Sequence, residues 1–363
     1  MRISGRAFLS GSLINAEITA ENGIITHIKE VKSAPDVLIL PGLIDVHTHG
    51  ALGADFTHSG EEELTDALKG YARMGTTSVL ATVSSHKEQT MLDAAKRVGR
   101  LCGRGFTDRA NLLGISMEGP FFCKDKRGAH PEEYLTAAKR ELVEAFATGA
   151  GGWLRQICID PLAEGALELV REYKDKYIIS IAHTACGRAL AEKFIDEGAS
   201  NVTHLLNAME QPTSREPGVL ACIEKDCTLE LIADGVHVDG FWVRLLFNTV
   251  KEKLMLISDS SEGCGMPDGQ YVICGQRVKK CGGRMLTEDG RLAGSASWLM
   301  DGLKCAVSMG VPLEDAVRAA SVTPAKRLGV SKGDIRLGYD ADLLICDDAL
   351  NIKEVYIGGE IIE

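Results

Sequence analysis

Pro41-Gly42-Leu43-Ile44-Asp45-Val46-His47-Thr48-His49-Gly50 is an apolar run that ends in two histidines two residues apart. On a β-strand, side chains at i and i+2 point to the same side, so His47 and His49 can converge on one ion. The turn-forming Pro41-Gly42 before the run and Gly50 after it mark a short buried strand that delivers ligands at its C-terminal end. Partners are then expected at the ends of other strands.

Outward from this stretch, apolar β-rich runs alternate with helical stretches, the pattern of a parallel sheet built from β-α units. Eight runs are readable, at 43–49, 77–83, 112–117, 154–159, 177–182, 201–204, 229–233 and 254–258. Helical periodicity falls between them at 61–74, 88–102, 137–147, 162–174, 188–197 and 241–250. This predicts an α/β chain with a (β/α)8 TIM-like barrel over residues 42–334. A Gly-rich insertion at about 263–294 carries an alternating segment, 271–278, that reads as a hairpin, and helices are expected at 297–308 and 313–320. The first forty residues read as short strands, including a hairpin of 16–19 and 24–28 about Glu21-Asn22-Gly23. Strands return at 343–346 and 354–357, so residues 1–41 and 335–363 are expected to form one small β-sandwich domain from both termini.

With 363 residues, 45% of them hydrophobic, the chain can bury the core that such a barrel needs. A formal net charge of −11, with Lys and Arg scattered, argues against a nucleic-acid or anionic-membrane surface, so any anionic ligand must be held locally. Eleven cysteines, an odd number with no Cys-x-x-Cys pair, read as reduced thiols in a cytoplasmic protein. No signal peptide is visible, and no apolar run reaches the ~18 residues of a membrane span.

In a barrel of this type, catalytic groups sit where strands end. The eight runs put His47 and His49 at the end of the first, Glu118 after the third, His183 after the fifth, His204 at the end of the sixth, Asp234 and His237 after the seventh and Asp259 after the eighth. Imidazole and carboxylate together suit Zn²⁺ or Fe²⁺, whereas Ca²⁺ and Mg²⁺ prefer all-oxygen shells. A hydrolytic divalent-metal site follows, with Asp259 as candidate general base and acid. Asp45 is expected to support the ligands without joining them. His27, His58 and His86 are expected at the surface, and Met117 and Cys123 as packing residues.

The motifs that carry these residues resemble the amidohydrolase superfamily over nearly the whole chain. They are 42–50 with Gly53 and Asp55-Phe56, Met117-Glu118-Gly119-Pro120-Phe121-Phe122, Gly128-Ala129-His130, 204–209, Arg215-Glu216-Pro217-Gly218, 234–239, 292–295, and a tail from Gly333 to Leu344. Within the superfamily the closest resemblance is to enzymes that deacetylate amino-sugar phosphates. The resemblance implies a metal held by Glu118, His183 and His204, and Asp259 as catalytic base. It also implies that Asn207, Ala208 and His237 hold the sugar phosphate, that Arg215 reaches it from the neighbouring subunit of a homodimer, and that His130 contacts the substrate sugar. Whether His47 and His49 hold a second ion or only support the first stays open. The expected reaction is removal of acetate from an N-acetylhexosamine 6-phosphate, the gluco epimer first and the galacto epimer as rival. Another amidohydrolase acting on a cyclic amide or N-acyl substrate, and a binding protein on a dead barrel, are the remaining alternatives.

Overall fold

A computed structural model describes residues 1–362. Eight parallel strands follow one another around a barrel in chain order: Leu43–Thr48, Thr76–Ser84, Asn111–Glu118, Leu154–Ile159, Ile178–Ile181, Asn201–Val202, Thr228–Ile232 and Leu254–Ile257. They are short and buried on both faces, as strands covered by crossover helices must be. The first and eighth meet just beyond their ends, where Asp259 N–H donates to His47 O (3.0 Å) and His49 N–H to Ser260 O (2.8 Å). The barrel therefore closes at the mouth that carries the histidines.

The helices bury one stripe each against this sheet. Glu61–Arg73 starts with three glutamates in its first turn, where the helix dipole favours them, and buries Leu64, Ala67, Leu68, Tyr71 and Ala72. Arg188–Glu197 and Leu313–Ala320 match the periodicity of the sequence. The fourth-strand crossover helix begins at Ala166, later than the expected 162, because Gly165 takes a left-handed conformation (φ 81°) before it. A further helix, Val322–Leu328, was not read from the sequence; its Ala325 joins Ile44, Leu80, Ile232, Met255 and Ile257 in a cluster drawn from strands on several sides of the barrel.

Both termini contribute to one seven-stranded sheet, in the order Glu360–Ile361, Ile352–Ile357, Leu343–Cys346, Leu38–Pro41, Arg2–Leu9, Ser12–Glu21 and Ile24–Glu30. Gly42 joins it to the barrel. Its N–H donates to Asp342 O (2.8 Å), and a Cβ there would stand 2.2 Å from Thr77 Oγ1, so only glycine lets the chain pass. The segment expected as a hairpin is larger than that: Gly269–Ile273, Gln276–Cys281, Arg284–Thr287 and Leu292–Ser295 form a four-stranded antiparallel sheet. No helix among the described residues is long and apolar enough to cross a membrane.

Candidate metal centre and active site

The sixth strand is only two residues long because the chain leaves β geometry at once. His204, Leu206 and Ala208 all have positive φ (31°, 76° and 49°). His183 (47°) and Asp259 (49°) do the same just past the fifth and eighth strands. Non-glycine residues held in this region cost ~1–3 kcal/mol each and cluster at functional sites, where surrounding structure enforces them. Here the turn aims each side chain across the barrel mouth.

The side chains meet on Glu118, which is buried at the end of the third strand. His183 Nε2 lies 3.2 Å from Glu118 Oε1, His204 Nε2 3.3 Å from the same oxygen, and the two Nε2 atoms are 3.1 Å apart. His47 Nε2 is also 3.3 Å from Oε1, while His49 Nε2 lies 3.1 Å from Glu118 Oε2 and 3.3 Å from Asp259 Oδ1. Ligand atoms ~2.0–2.1 Å from a tetrahedral ion are ~3.3–3.4 Å apart, so Glu118, His183 and His204 already outline one face of such a shell. His47, His49 and Glu118 form a second group beside it that could hold an ion.

The outer nitrogens of the rings support the same conclusion. His183 Nδ1 is 3.0 Å from the Lys126 carbonyl, which can only accept, so its proton sits on Nδ1 and Nε2 presents a lone pair. His49 Nδ1 contacts Ser84 Oγ at 2.8 Å. His130 is the opposite case. Its Nδ1 accepts from Ser85 N–H (3.3 Å), so the neutral ring carries its proton on Nε2, 3.5 Å from Glu118 Oε2, and faces the cavity as a donor.

Electrostatically the cluster calls for a cation. Burial opposes charge on His49, yet the Glu118 and Asp259 carboxylates push the imidazole up to about 10, and Glu118 drives His47 well above its ordinary value. Burial would raise Glu118 and Asp259, but the histidines hold both below the usual carboxylate range. Burial takes His183 down to about 4, leaving it neutral. A divalent ion would supply the charge that protons on His47 and His49 otherwise provide, so the donor set fits a metal.

Asp45 lies beneath the cluster, fully buried, its carboxylate accepting from His47 N–H (3.3 Å), Ser258 N–H (3.2 Å) and Ser258 Oγ. It ties the first strand to the eighth and does not reach the cluster itself. Met117 is buried in the core, His58 is exposed beside Asp55 (3.4 Å), His86 stacks on Tyr134, and His27 is exposed. All eleven cysteines are free thiols.

A cavity of about 480 Å³ opens over the cluster, lined by His49, Glu118, His130, His183, His204 and Asp259, and also by Asn207, Ala208 and His237. Ile273, Cys274 and residues 291–294 of the inserted sheet form part of its wall. Asp234 fixes His237 by three bonds to its carboxylate, from Val236 N–H and His237 N–H (both 2.9 Å) and from His237 Nδ1 (2.8 Å). Burial disfavours the charged ring, but Asp234 outweighs it and raises His237 above its ordinary value. Asn207 lines the cavity, its N–H bonded to His204 O (2.9 Å) and its Nδ2 donating to Leu205 O (3.4 Å). Arg215 stands exposed on a loop held by Glu216 and does not line the cavity of its own chain. Sequence reasoning missed Ser84 and the buried Glu230, whose Oε2 lies 3.2 Å from His47 Nδ1.

The Amidohydrolase family profile matches residues 38–362. The chain belongs to the amidohydrolase family. Among its relatives it is 35% identical over 326 residues to an N-acetylglucosamine-6-phosphate deacetylase of Bacillus subtilis (strain 168), covering 87% of this chain and 82% of the relative. It is 31% identical over 361 residues to an N-acetylgalactosamine-6-phosphate deacetylase of Escherichia coli O157:H7, covering 97% and 96%. Its fold is similar to that of a mutant N-acetyl-D-glucosamine-6-phosphate deacetylase of Mycobacterium smegmatis in complex with N-acetyl-D-glucosamine-6-phosphate, with a TM-score of 0.94, 26% identity and coverage of 100% and 99%. The barrel and the amidohydrolase membership expected from the motifs are thus shown.

Proposed function

We propose that this enzyme hydrolyses N-acetylglucosamine 6-phosphate to glucosamine 6-phosphate and acetate. The observation that carries this is one cavity lined both by a histidine–carboxylate cluster and by His237, Asn207 and Ala208, whose polar groups suit an anion. The relatives that fit it over most of their length are deacetylases of amino-sugar phosphates. The gluco epimer is favoured by the higher identity of the Bacillus relative and by the ligand in the Mycobacterium structure.

Glu118, His183 and His204 would hold a Zn²⁺ or Fe²⁺ ion, with His47 and His49 available for a second. An ion held there would supply Lewis-acid chemistry, lowering the pKa of a water toward ~7 and polarising the amide carbonyl. Asp259, held ionised by its histidine neighbours, takes the proton of the attacking water and returns it to the amine nitrogen as the C–N bond breaks. His130 Nε2–H is placed to donate to the acetamido oxygen or a ring hydroxyl. His237, Asn207 and Ala208 N–H hold the phosphate, and Arg215 reaches it from the second subunit of a homodimer. On this reading, residues 42–334 do the chemistry, the 263–294 insertion walls the site, and 1–41 with 335–363 form a supporting unit. The free cysteines suit a cytoplasmic enzyme.

The test is acetate release from the two N-acetylhexosamine 6-phosphate epimers by metal-loaded wild type and Asp259→Asn. The gluco epimer should have the higher kcat/KM, and the variant should lose ~10²–10⁴-fold in kcat. Full activity in the variant would remove Asp259 from the mechanism; a preference for the galacto epimer would reassign the substrate.

A further inference from the structure

Glu230 is a charged residue in the middle of a barrel strand, wholly buried, and the chemistry above does not use it. It touches side chains from strands on three sides: Gln156 on the fourth, Asn201 on the sixth and His47 on the first. Its carboxylate therefore lies inside the barrel, directly beneath the metal cluster. Gln156 Nε2 (3.1 Å) and Asn201 Nδ2 (2.7 Å) both donate to Oε1. The Asn201 amide is itself oriented, because its Oδ1 accepts from Thr228 Oγ1 (2.7 Å) and its Nδ2 also donates to Ser180 Oγ (3.0 Å).

One oxygen of Glu230 is thus saturated by fixed donors, while Oε2 is buried without an aligned partner. The nearest group is His47 Nδ1 at 3.2 Å, off the line of a good hydrogen bond and equally unpartnered. Among the described residues Glu230 has no other ion-pair partner. Two buried polar atoms left without bonds cost ~1–3 kcal/mol each, and a small rotation of the His47 ring satisfies both. The other ring nitrogen, Nε2, faces Glu118 and Asp259 at 3.3 and 3.6 Å.

We propose that Glu230 is the positioning residue of His47: it accepts the Nδ1 proton, fixes the imidazole in the tautomer with a bare Nε2, and aims that lone pair at the metal. The proposal rests on the metal site described above. It explains why a carboxylate is retained where barrel interiors are otherwise filled by apolar side chains. Histidine ligands generally need such an outer partner, and its loss typically costs 10–100-fold in metal affinity.

Glu230→Gln separates this role from packing. Both Gln156 Nε2 and Asn201 Nδ2 are donors, so they demand the amide oxygen, and the new NH₂ group must then face His47 Nδ1. An NH₂ there donates to Nδ1 and moves the ring proton to Nε2, where the ion has to bind. The variant keeps the volume and the buried bonds of Glu230 but imposes the wrong tautomer. Glu230→Leu removes the acceptor without imposing either form.

The experiment is a Zn²⁺ competition titration of wild type, Glu230→Gln, Glu230→Leu, His47→Asn and the two double variants. Thermal unfolding of each metal-free protein and long-range ¹⁵N-histidine spectra for the His47 tautomer accompany it. Expected are a ~10–100-fold rise in the weakest Zn²⁺ dissociation constant for both Glu230 variants, an Nε2–H signal at His47 in Glu230→Gln, and no further loss when His47→Asn is already present. Unchanged affinity in Glu230→Gln, or losses that simply add to those of His47→Asn, would overturn the proposal. If Glu230→Leu fails to fold, Glu230→Gln alone decides. Wild-type protein that binds no divalent metal would instead overturn the proposed function, so the two failures are distinguishable.

Discussion

Replacing Asp234 by Asn tests the proposed role of His237 in holding the substrate phosphate. Burial alone would lower His237, and the 2.8 Å contact with the Asp234 carboxylate, helped by the charge of Asp259, raises it above its ordinary value instead. With Asn at 234 the main compensation for burial is lost, and His237 should titrate lower than in the wild type. The phosphate then exchanges a charge-assisted hydrogen bond for a neutral one or none. Hydrogen bonds to charged groups contribute ~1.5–3 kcal/mol, which corresponds to roughly a 10–150-fold rise in KM.

The pH dependence has a definite sign. The folded value of His237 is raised, so its contribution is complete below ~6.5 and fades as pH climbs through the folded value. Asp234 is depressed, burial notwithstanding, by its bonds from His237 and Val236, so its contribution is present above ~4 and is lost as pH falls through the folded value. The pair thus stabilises the loop and binds phosphate best between these limits. The assay is KM and kcat for acetate release across pH ~5.5–9 in wild type and Asp234→Asn. KM should rise with pH in both proteins, at higher pH in the wild type than in the variant, and kcat should change less than KM because His237 is assigned to the phosphate and not to the reacting bond. An unchanged KM in the variant, or a loss confined to kcat, would refute the assignment of His237 to the phosphate.

Three further outcomes are expected. Gly128→Ala introduces a Cβ at φ 57°, 3.1 Å from His183 Cε1; the left-handed conformation costs ~1–2 kcal/mol, and the displaced ring should weaken Zn²⁺ binding in a competition titration more than it lowers Tm. Arg215→Ala and Asp259→Asn, each nearly inactive at low substrate, should regain activity when mixed and allowed to exchange subunits, because mixed dimers contain one site with both groups; no recovery despite exchange would place Arg215 outside the neighbouring site. Zn²⁺ uptake by metal-free protein at neutral pH should release protons, since Glu118 and Asp259 hold His49 at about 10 and the ion takes the place of its proton. Titration calorimetry in buffers of different ionisation enthalpy measures this, and no dependence on buffer would contradict it.

The barrel was legible because its signals are local and repeated. Each strand is a short apolar run with a turn at one side, and the ligands sit at strand ends, where chemistry and topology coincide. His47, Glu118, His183, His204 and Asp259 all stand out for that reason. Glu230 does not, because Thr228-Leu229-Glu230-Leu231-Ile232 alternates like a strand with one wet face. In a parallel barrel both faces are buried, and a charge in the alternating slot marks the interior. Ser84 is hidden similarly, at the end of a strand of otherwise unremarkable residues, and only the fold brings it to His49. The inserted sheet was under-read because Gly282, Gly283 and Gly290 look like loop, whereas they form the turns between its strands, all with positive φ. The tight turn after His204, which bonds Asn207 N–H to His204 O, is likewise invisible in the sequence.

The central claim is tested most directly by following acetate release from N-acetylglucosamine 6-phosphate and from N-acetylglucosamine in one preparation, as purified, after chelation, and after Zn²⁺ or Fe²⁺ is returned. Hydrolysis of the phosphorylated sugar should be lost on chelation and restored by the metal, and the unphosphorylated sugar should be a poor substrate throughout. Undiminished activity in metal-free protein, or equal rates on the two sugars, would contradict a metal-dependent deacetylase that holds its substrate by the phosphate.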